Sequence, residues 1–355
     1  MRDSDLQFLV PTDPAASASR VACATALREL GHAIVGHSVD DAVLERVRAL
    51  VHDVLPDVVS APPRSRPVAP STPRARSRPS RREPAVTELL ALEALVARAV
   101  TSGAARHHVL AEVDDRGVRR PVHALELGTD AADAPLLIVV GGVHGLERIG
   151  AAVVMAFLSA VLGRLAWDRV MQDALARTRL WVLPVLNPVG LARGTRANGN
   201  GVDLMRNAPG DEVGRATPLV GGQRLSRRLP WFRGEVGAPM EAEARGLVAW
   251  VAGGLARAPA AIALDVHSGF GLVDRLWFPW ARTRRPMPNL AELRALIDLL
   301  DASSPHHVYR VEPQARAYTI QGDLWDHVYD RHLAGGRPGV FLPLTLELGS
   351  WLWVK

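Results

Sequence analysis

The 355-residue chain has almost no lysine or cysteine and few aromatic side chains. Lys355 is the only lysine, so the formal net charge of +5 rests on arginine in an alanine-rich background. The 37 acidic residues nearly balance the 42 basic ones. Interspersed charge of this kind describes a solvated surface, so no nucleic-acid partner is expected despite a pI near 10.2. Cys23 stands alone, which excludes an intramolecular disulfide and a cysteine-based zinc site. No apolar run reaches the ~20 residues that cross a bilayer; the longest uncharged stretch lies between Arg148 and Arg164. The opening MRDSDLQFLVPTD lacks the apolar segment of a signal peptide. A cytoplasmic protein with no membrane partner is the expectation.

What is present is a composition of 48% hydrophobic and 22% charged residues, enough for a substantial core. Residues 62–84 are built almost wholly of Pro, Arg and Ser, with seven arginines. Such a segment buries too little to offset its ordering entropy and reads as a solvated linker. Ahead of it, Val21, Ala24, Leu27 and Leu30, then Val43, Leu44, Val47, Leu50 and Val51, recur at helical spacing. The chain therefore divides into a small helical region (1–60), a Pro/Arg-rich linker (61–85) and a main domain (86–355).

In the main domain, helix-period segments (Val86–Val100, Ile149–Leu162, Met240–Leu255, Leu290–Leu300) alternate with strand-like runs (His108–Val113, Pro121–Leu127, 135–143, Leu180–Leu186, Ala260–Val266, Val340–Leu346). The run PLLIVVGGV reads as a strand buried on both faces. The alternation predicts an α/β domain with a mixed, largely parallel central sheet flanked by helices.

Three strand ends carry chemistry. His144-Gly-Leu-Glu147 directly follows the run PLLIVVGGV, and an imidazole and a carboxylate three residues apart can converge on one metal. The same pair also suits a surface histidine beside a helix-capping glutamate. His267 closes the run Ala260–Val266, and Asp265, two residues earlier on the same strand face, can orient an imidazole there. A structural histidine is the other reading. Glu347 ends the last strand in LTLELG. Two histidines and a glutamate form a three-ligand zinc site, and a further carboxylate can carry the proton of an attacking water. In NPVGLARGTRANGNGVDLMRN, residues 187–207, Arg196 and Arg206 can stabilise an oxyanion or grip a carboxylate.

The ordered set HxxE, NPxGxxxGTR, GVDLxRN, a second histidine after a strand and a late ELG resembles the zinc carboxypeptidase family, the metallopeptidases of carboxypeptidase A type in their shorter bacterial form. The likeness spans roughly residues 100–350. It implies one zinc per chain held by His144, Glu147 and His267, with Glu347 as general acid/base and Arg196 polarising the scissile carbonyl. It further implies that Arg206 binds a terminal carboxylate and that Asp203 hydrogen-bonds the first zinc histidine. Tyr318 falls on the family's mobile tyrosine, and Trp325 on a side chain that lines the specificity pocket.

Two departures bear on substrate. Met205 replaces the asparagine of the family's DLNRN motif, and a thioether cannot donate a hydrogen bond. Leu146 lies where relatives carry arginine or a small polar residue. The chain also stops eight residues after Glu347, where the family continues into a helix, so a short or truncated terminus is expected. The expected partner is a peptide or small amide. The alternatives are a zinc-dependent deacylase or amidase of N-acyl amino acids or muropeptides, and a catalytically silent binding module of the same fold.

Overall fold

The computed structural model describes residues 83–131, 133–210, 216–336 and 339–350. The expected helical region 1–60 and almost all of the linker 61–85 lie outside the described residues.

Helix α1 (Glu83–Thr101) leads into the antiparallel pair β1 (Arg106–Asp115) and β2 (Val118–Gly128). Then come β3 (Leu136–Gly141), α2 (Arg148–Leu165), α3 (Arg169–Arg177), β4 (Arg179–Leu183) and the short α4 (Pro188–Arg193). After a long loop follow α5 (Ala242–Leu255), β5 (Ala260–Ser268), β6 (Arg275–Phe278), α6 (Leu290–Ser303), β7 (Arg310–Pro313), α7 (Leu324–Ala334) and β8 (Val340–Leu348). The strands form one eight-stranded sheet in the order β1-β2-β4-β3-β5-β8-β6-β7. Its centre, β4-β3-β5-β8, is parallel throughout, and antiparallel pairing is confined to its flanks. This is the mixed sheet that the alternating pattern predicts.

All six residues of β3 are buried, with α2 and α5 packed against it. Val154, Leu158 and Val161 of α2 are buried together with Leu136, Ile138 and Val140 of β3. Each fully buried Leu, Ile or Val contributes about 1.5–3 kcal/mol relative to exposure. Among the described residues α2 is the helix long and apolar enough, by length and composition, to cross a membrane. It packs on β3 and β5 through one face, where Gly150, Ala151, Val154, Leu158 and Val161 are buried, while Ile149 and Val153 are exposed.

The chain leaves β3 toward β4 on one side, then crosses back to β5 on the other. Such a reversal opens a crevice at the carboxyl ends of the strands. His144, His267 and Glu347 all sit there, beyond or at the ends of β3, β5 and β8. Two glycines permit the close packing this needs. A Cβ on Gly145 would fall 1.9 Å from the backbone of Gly190 in α4, and one on Gly150 would fall 2.2 Å from the carbonyl oxygen of Val266 in β5. The first turn of α2 is thereby pressed onto the end of β5, bringing Glu147 to His267.

Candidate metal centre

Glu147 occupies the N-cap of α2, where the macrodipole favours a carboxylate, and its side chain makes no capping bond. It is turned inward instead. Oε1 lies 2.8 Å from Nδ1 of His144 and accepts from Nη1 of Arg196 at 3.1 Å. Oε2 lies 3.0 Å from Nδ1 of His267 and accepts the backbone N–H of Ser268 at 3.2 Å. One ligand atom from each of His144, Glu147 and His267 lies within 4.8 Å of the others, and all three residues are buried. Glu347 stands beside His267 in the parallel register of β5 and β8.

Each histidine is held from behind. Nε2 of His144 bonds Oδ1 of Asp203 at 3.0 Å, and Nε2 of His267 lies 2.8 Å from Oδ2 of Asp265. Nε2–H of His144 is directed at its carboxylate, which turns the lone pair of Nδ1 toward the centre, whereas Nε2 of His267 stands in ion-pair contact with Asp265 without a hydrogen bond among the described residues. Nδ1 of His144 is buried and makes no hydrogen bond among the described residues, as a group shaped to ligate would. Two imidazole nitrogens and a carboxylate oxygen converging in a buried site fit Zn²⁺. The donors present therefore suit the metal that the resemblance implies.

The surrounding charges reinforce one another. Burial works against ionisation of Glu147, yet His144 and His267 beside it hold its carboxyl well below the usual range. Asp203 is also buried, but Arg196, Arg206 and His144 hold it well below the usual range. Burial opposes the charge of Arg196 too, and the carboxylates of Asp203 and Glu147 outweigh it, keeping the guanidinium firmly protonated. Glu347 differs: burial, then repulsion from Glu147, pushes its carboxyl up to about 7, and its Oε2 is buried without a hydrogen bond among the described residues. A carboxyl poised near neutrality suits proton transfer.

The family profile for zinc carboxypeptidases matches residues 118–349. The chain belongs to the zinc carboxypeptidase family. Carboxypeptidase B of Astacus astacus is 31% identical over 86 residues, which are 23% of this chain and 27% of that protein. The chain thus matches well under half the length of that relative. Among solved structures, the carboxypeptidase A from Helicoverpa armigera has a TM-score of 0.56 at 19% identity, covering 88% of this chain and 72% of that one. The bovine thrombin-activatable fibrinolysis inhibitor has a TM-score of 0.55 at 16% identity, covering 74% and 86%. At these identities the structures speak for the fold.

The remaining expected residues gather at this zinc-carboxypeptidase site. Asp203 is the hub: Oδ2 accepts from Nε of Arg196 at 2.8 Å and from Nη1 of Arg206 at 3.0 Å. Arg206 is 1% exposed, with Nε on the carbonyl of Val220 and, among the described residues, Nη2 buried without a hydrogen-bond partner. Tyr318 is half-buried against Phe270 and Trp277, its ring centroid 5.5 and 6.0 Å from theirs. Its phenol is pushed up by burial and sits within the fields of Arg206, Glu347 and Arg196. Trp325 is buried, and its indole N–H donates to Oδ2 of Asp265 at 2.8 Å.

One positioning residue was missed in the sequence. Asn187, the N-cap of α4, accepts the N–H of Gly190 at 2.7 Å, while its Nδ2 reaches the carbonyls of Val143 and Arg196 at 3.4 and 3.3 Å. It ties the His144 turn to the Arg196 loop. The only signal was Asn before Pro, which marks a helix start without saying what the amide holds.

Proposed function

We propose that this protein is a zinc-dependent hydrolase that cleaves an amide, in the first instance a peptide bond, with one zinc per chain. The observation that carries the reading is the buried convergence of His144, Glu147 and His267, with Glu347 beside His267 in register. Zinc held there supplies Lewis acidity and a water made acidic enough to react near neutral pH. The chain's own groups do the rest. Glu347 accepts the proton of the attacking water and later returns it to the leaving nitrogen, a role suited to a carboxyl pushed up to about 7. Arg196, fixed by Asp203 and Glu147, places permanent positive charge where the carbonyl oxygen becomes negative. Arg206 offers its unpaired Nη2 to an anionic group of the substrate, and Tyr318 covers that end of the site.

Met205 favours a second reading of the substrate. It is buried next to Arg206 in sequence and has no donor to help hold a terminal carboxylate. Short acylated amino acids and muropeptide-like amides are therefore substrates of comparable standing. The test is zinc content by elemental analysis of wild type and His144→Ala, then hydrolysis of matched peptides and N-acyl amino acids. One zinc per wild-type chain, lost in the variant, with turnover of either class, supports the reading. A folded wild type that takes up no supplied zinc ends it, and zinc without turnover leaves the binding module.

A further inference from the structure

Asp265 is a fully buried carboxylate in the middle of the sheet. Among the described residues its side chain meets two polar groups, both through Oδ2: it accepts a hydrogen bond from Nε1 of Trp325 at 2.8 Å and stands in ion-pair contact, without a hydrogen bond, with Nε2 of His267 at 2.8 Å. Oδ1 has no hydrogen-bond partner. Taking such a carboxylate out of water is costly unless fixed donors meet it. The indole N–H is a donor only, so it obliges Asp265 to accept and keeps the anion facing His267.

The placement of the indole is itself well determined. Trp325 lies in the first turn of α7, whose N-cap Asp323 accepts the backbone N–H of Trp325 and of Asp326 at 2.9 and 2.8 Å. Its ring belongs to the main hydrophobic core. Asp265 sits two residues before His267 on β5, paired with Thr345 of β8, so its backbone has little freedom.

We propose that Trp325 is a positioning residue of the metal centre: its indole N–H pins Asp265, and Asp265 sets the ring of His267 so that Nδ1 faces Glu147. This rests on the zinc-hydrolase reading and gives Trp325 a task different from lining a specificity pocket. It acts on the metal through two intervening groups and needs no contact with substrate.

The test is zinc affinity by chelator competition on the full chain, for wild type, Trp325→Phe, Asp265→Asn, the double variant and Trp250→Phe. Trp250 is also a buried tryptophan bonded to a carboxylate, Glu126, and serves as the packing control. Trp325→Phe and Asp265→Asn are each expected to weaken zinc binding about 10–100-fold. The double variant is expected to be no weaker than Asp265→Asn alone, because both act along one chain of contacts. The cobalt-substituted Trp325→Phe protein is expected to show an altered visible spectrum, and Trp250→Phe an unchanged one. In wild type, the Trp325 indole ¹⁵N–¹H resonance is expected to shift on adding zinc while that of Trp250 stays put, a readout that stands even if Trp325→Phe does not fold. Wild-type zinc affinity in a folded Trp325→Phe, multiplicative losses in the double variant, or an indole resonance indifferent to zinc would each overturn the proposal. If wild type itself binds no zinc, the hydrolase reading fails first.

Discussion

Asp203 shows how much a single buried carboxylate does here, since it orients His144 and holds both Arg196 and Arg206. Asp203→Asn keeps the volume but sets an amide N–H against at least one donor. Removing one partner from a buried charged cluster typically costs about 3–5 kcal/mol. The expected outcome is a clear fall in denaturation midpoint and zinc binding about 10–100-fold weaker, measured by chemical unfolding and chelator competition. Glu347→Gln is expected to separate binding from chemistry. It should keep one zinc per chain and lose about 10²–10⁴-fold in kcat, the usual worth of a general acid/base. Near-normal turnover in a zinc-loaded variant would remove Glu347 from the reaction.

At the scale of elements, the site depends on α2 docking against β5. Gly150 is in the first turn of α2, and a Cβ there would fall 2.2 Å from the carbonyl oxygen of Val266. Gly150→Ala raises helix propensity by about 0.5–1 kcal/mol, yet the clash is with backbone and cannot be relieved by a rotamer. Overpacking of this kind typically costs about 1–3 kcal/mol, so a net loss of thermal stability is expected. Zinc affinity should fall too, because the helix that moves carries Glu147 at its N-cap. A more stable Gly150→Ala protein with unchanged zinc binding would show that the contact is slack.

For the whole molecule, buried acids shape stability against pH. Burial, then the neighbouring Asp326, pushes Asp323 up to about 8. Burial likewise pushes Asp326 up to about 6, against the backbone N–H groups of Ala281 and Arg282 that it accepts. Between its unfolded value near 3.8 and its folded value, each group binds more proton in the folded chain than in the unfolded one. Its contribution is therefore complete below about pH 4 and is lost as pH rises through about 6 and 8. Asp203 and Glu147 act in the opposite sense, since their lowered values stabilise the fold above about pH 4 and cease to as pH falls. The zinc-free protein is accordingly expected to melt highest near pH 4–6 and lower on either side, by calorimetry in chelator across pH 3–9. Asp326→Asn is expected to flatten the alkaline side of that profile.

The sheet's centre was readable because its strands are apolar throughout, and a run such as PLLIVVGGV has few alternatives to a doubly buried strand. His144, His267 and Glu347 of the candidate site were readable because each follows or ends such a run, and Glu147 because it stands three residues after His144. Shorter elements escaped: β6 and β7 span four residues each, and α3 and α4 span nine and six, too few for a period to show. Helix α7 escaped as well, because polar residues interrupt its apolar face and its start is set by the Asp323 cap. By itself the sequence determined the order of the longer strands and helices and which donors stand at three strand ends. Only the tertiary structure decided that Trp325 faces Asp265 across 60 residues of chain, that Asp203 serves two arginines at once, and that Asn187 ties two loops together. Those pairings depend on how helices and loops dock over the sheet, which follows from the shape of the whole packed core and leaves no periodic trace along the chain.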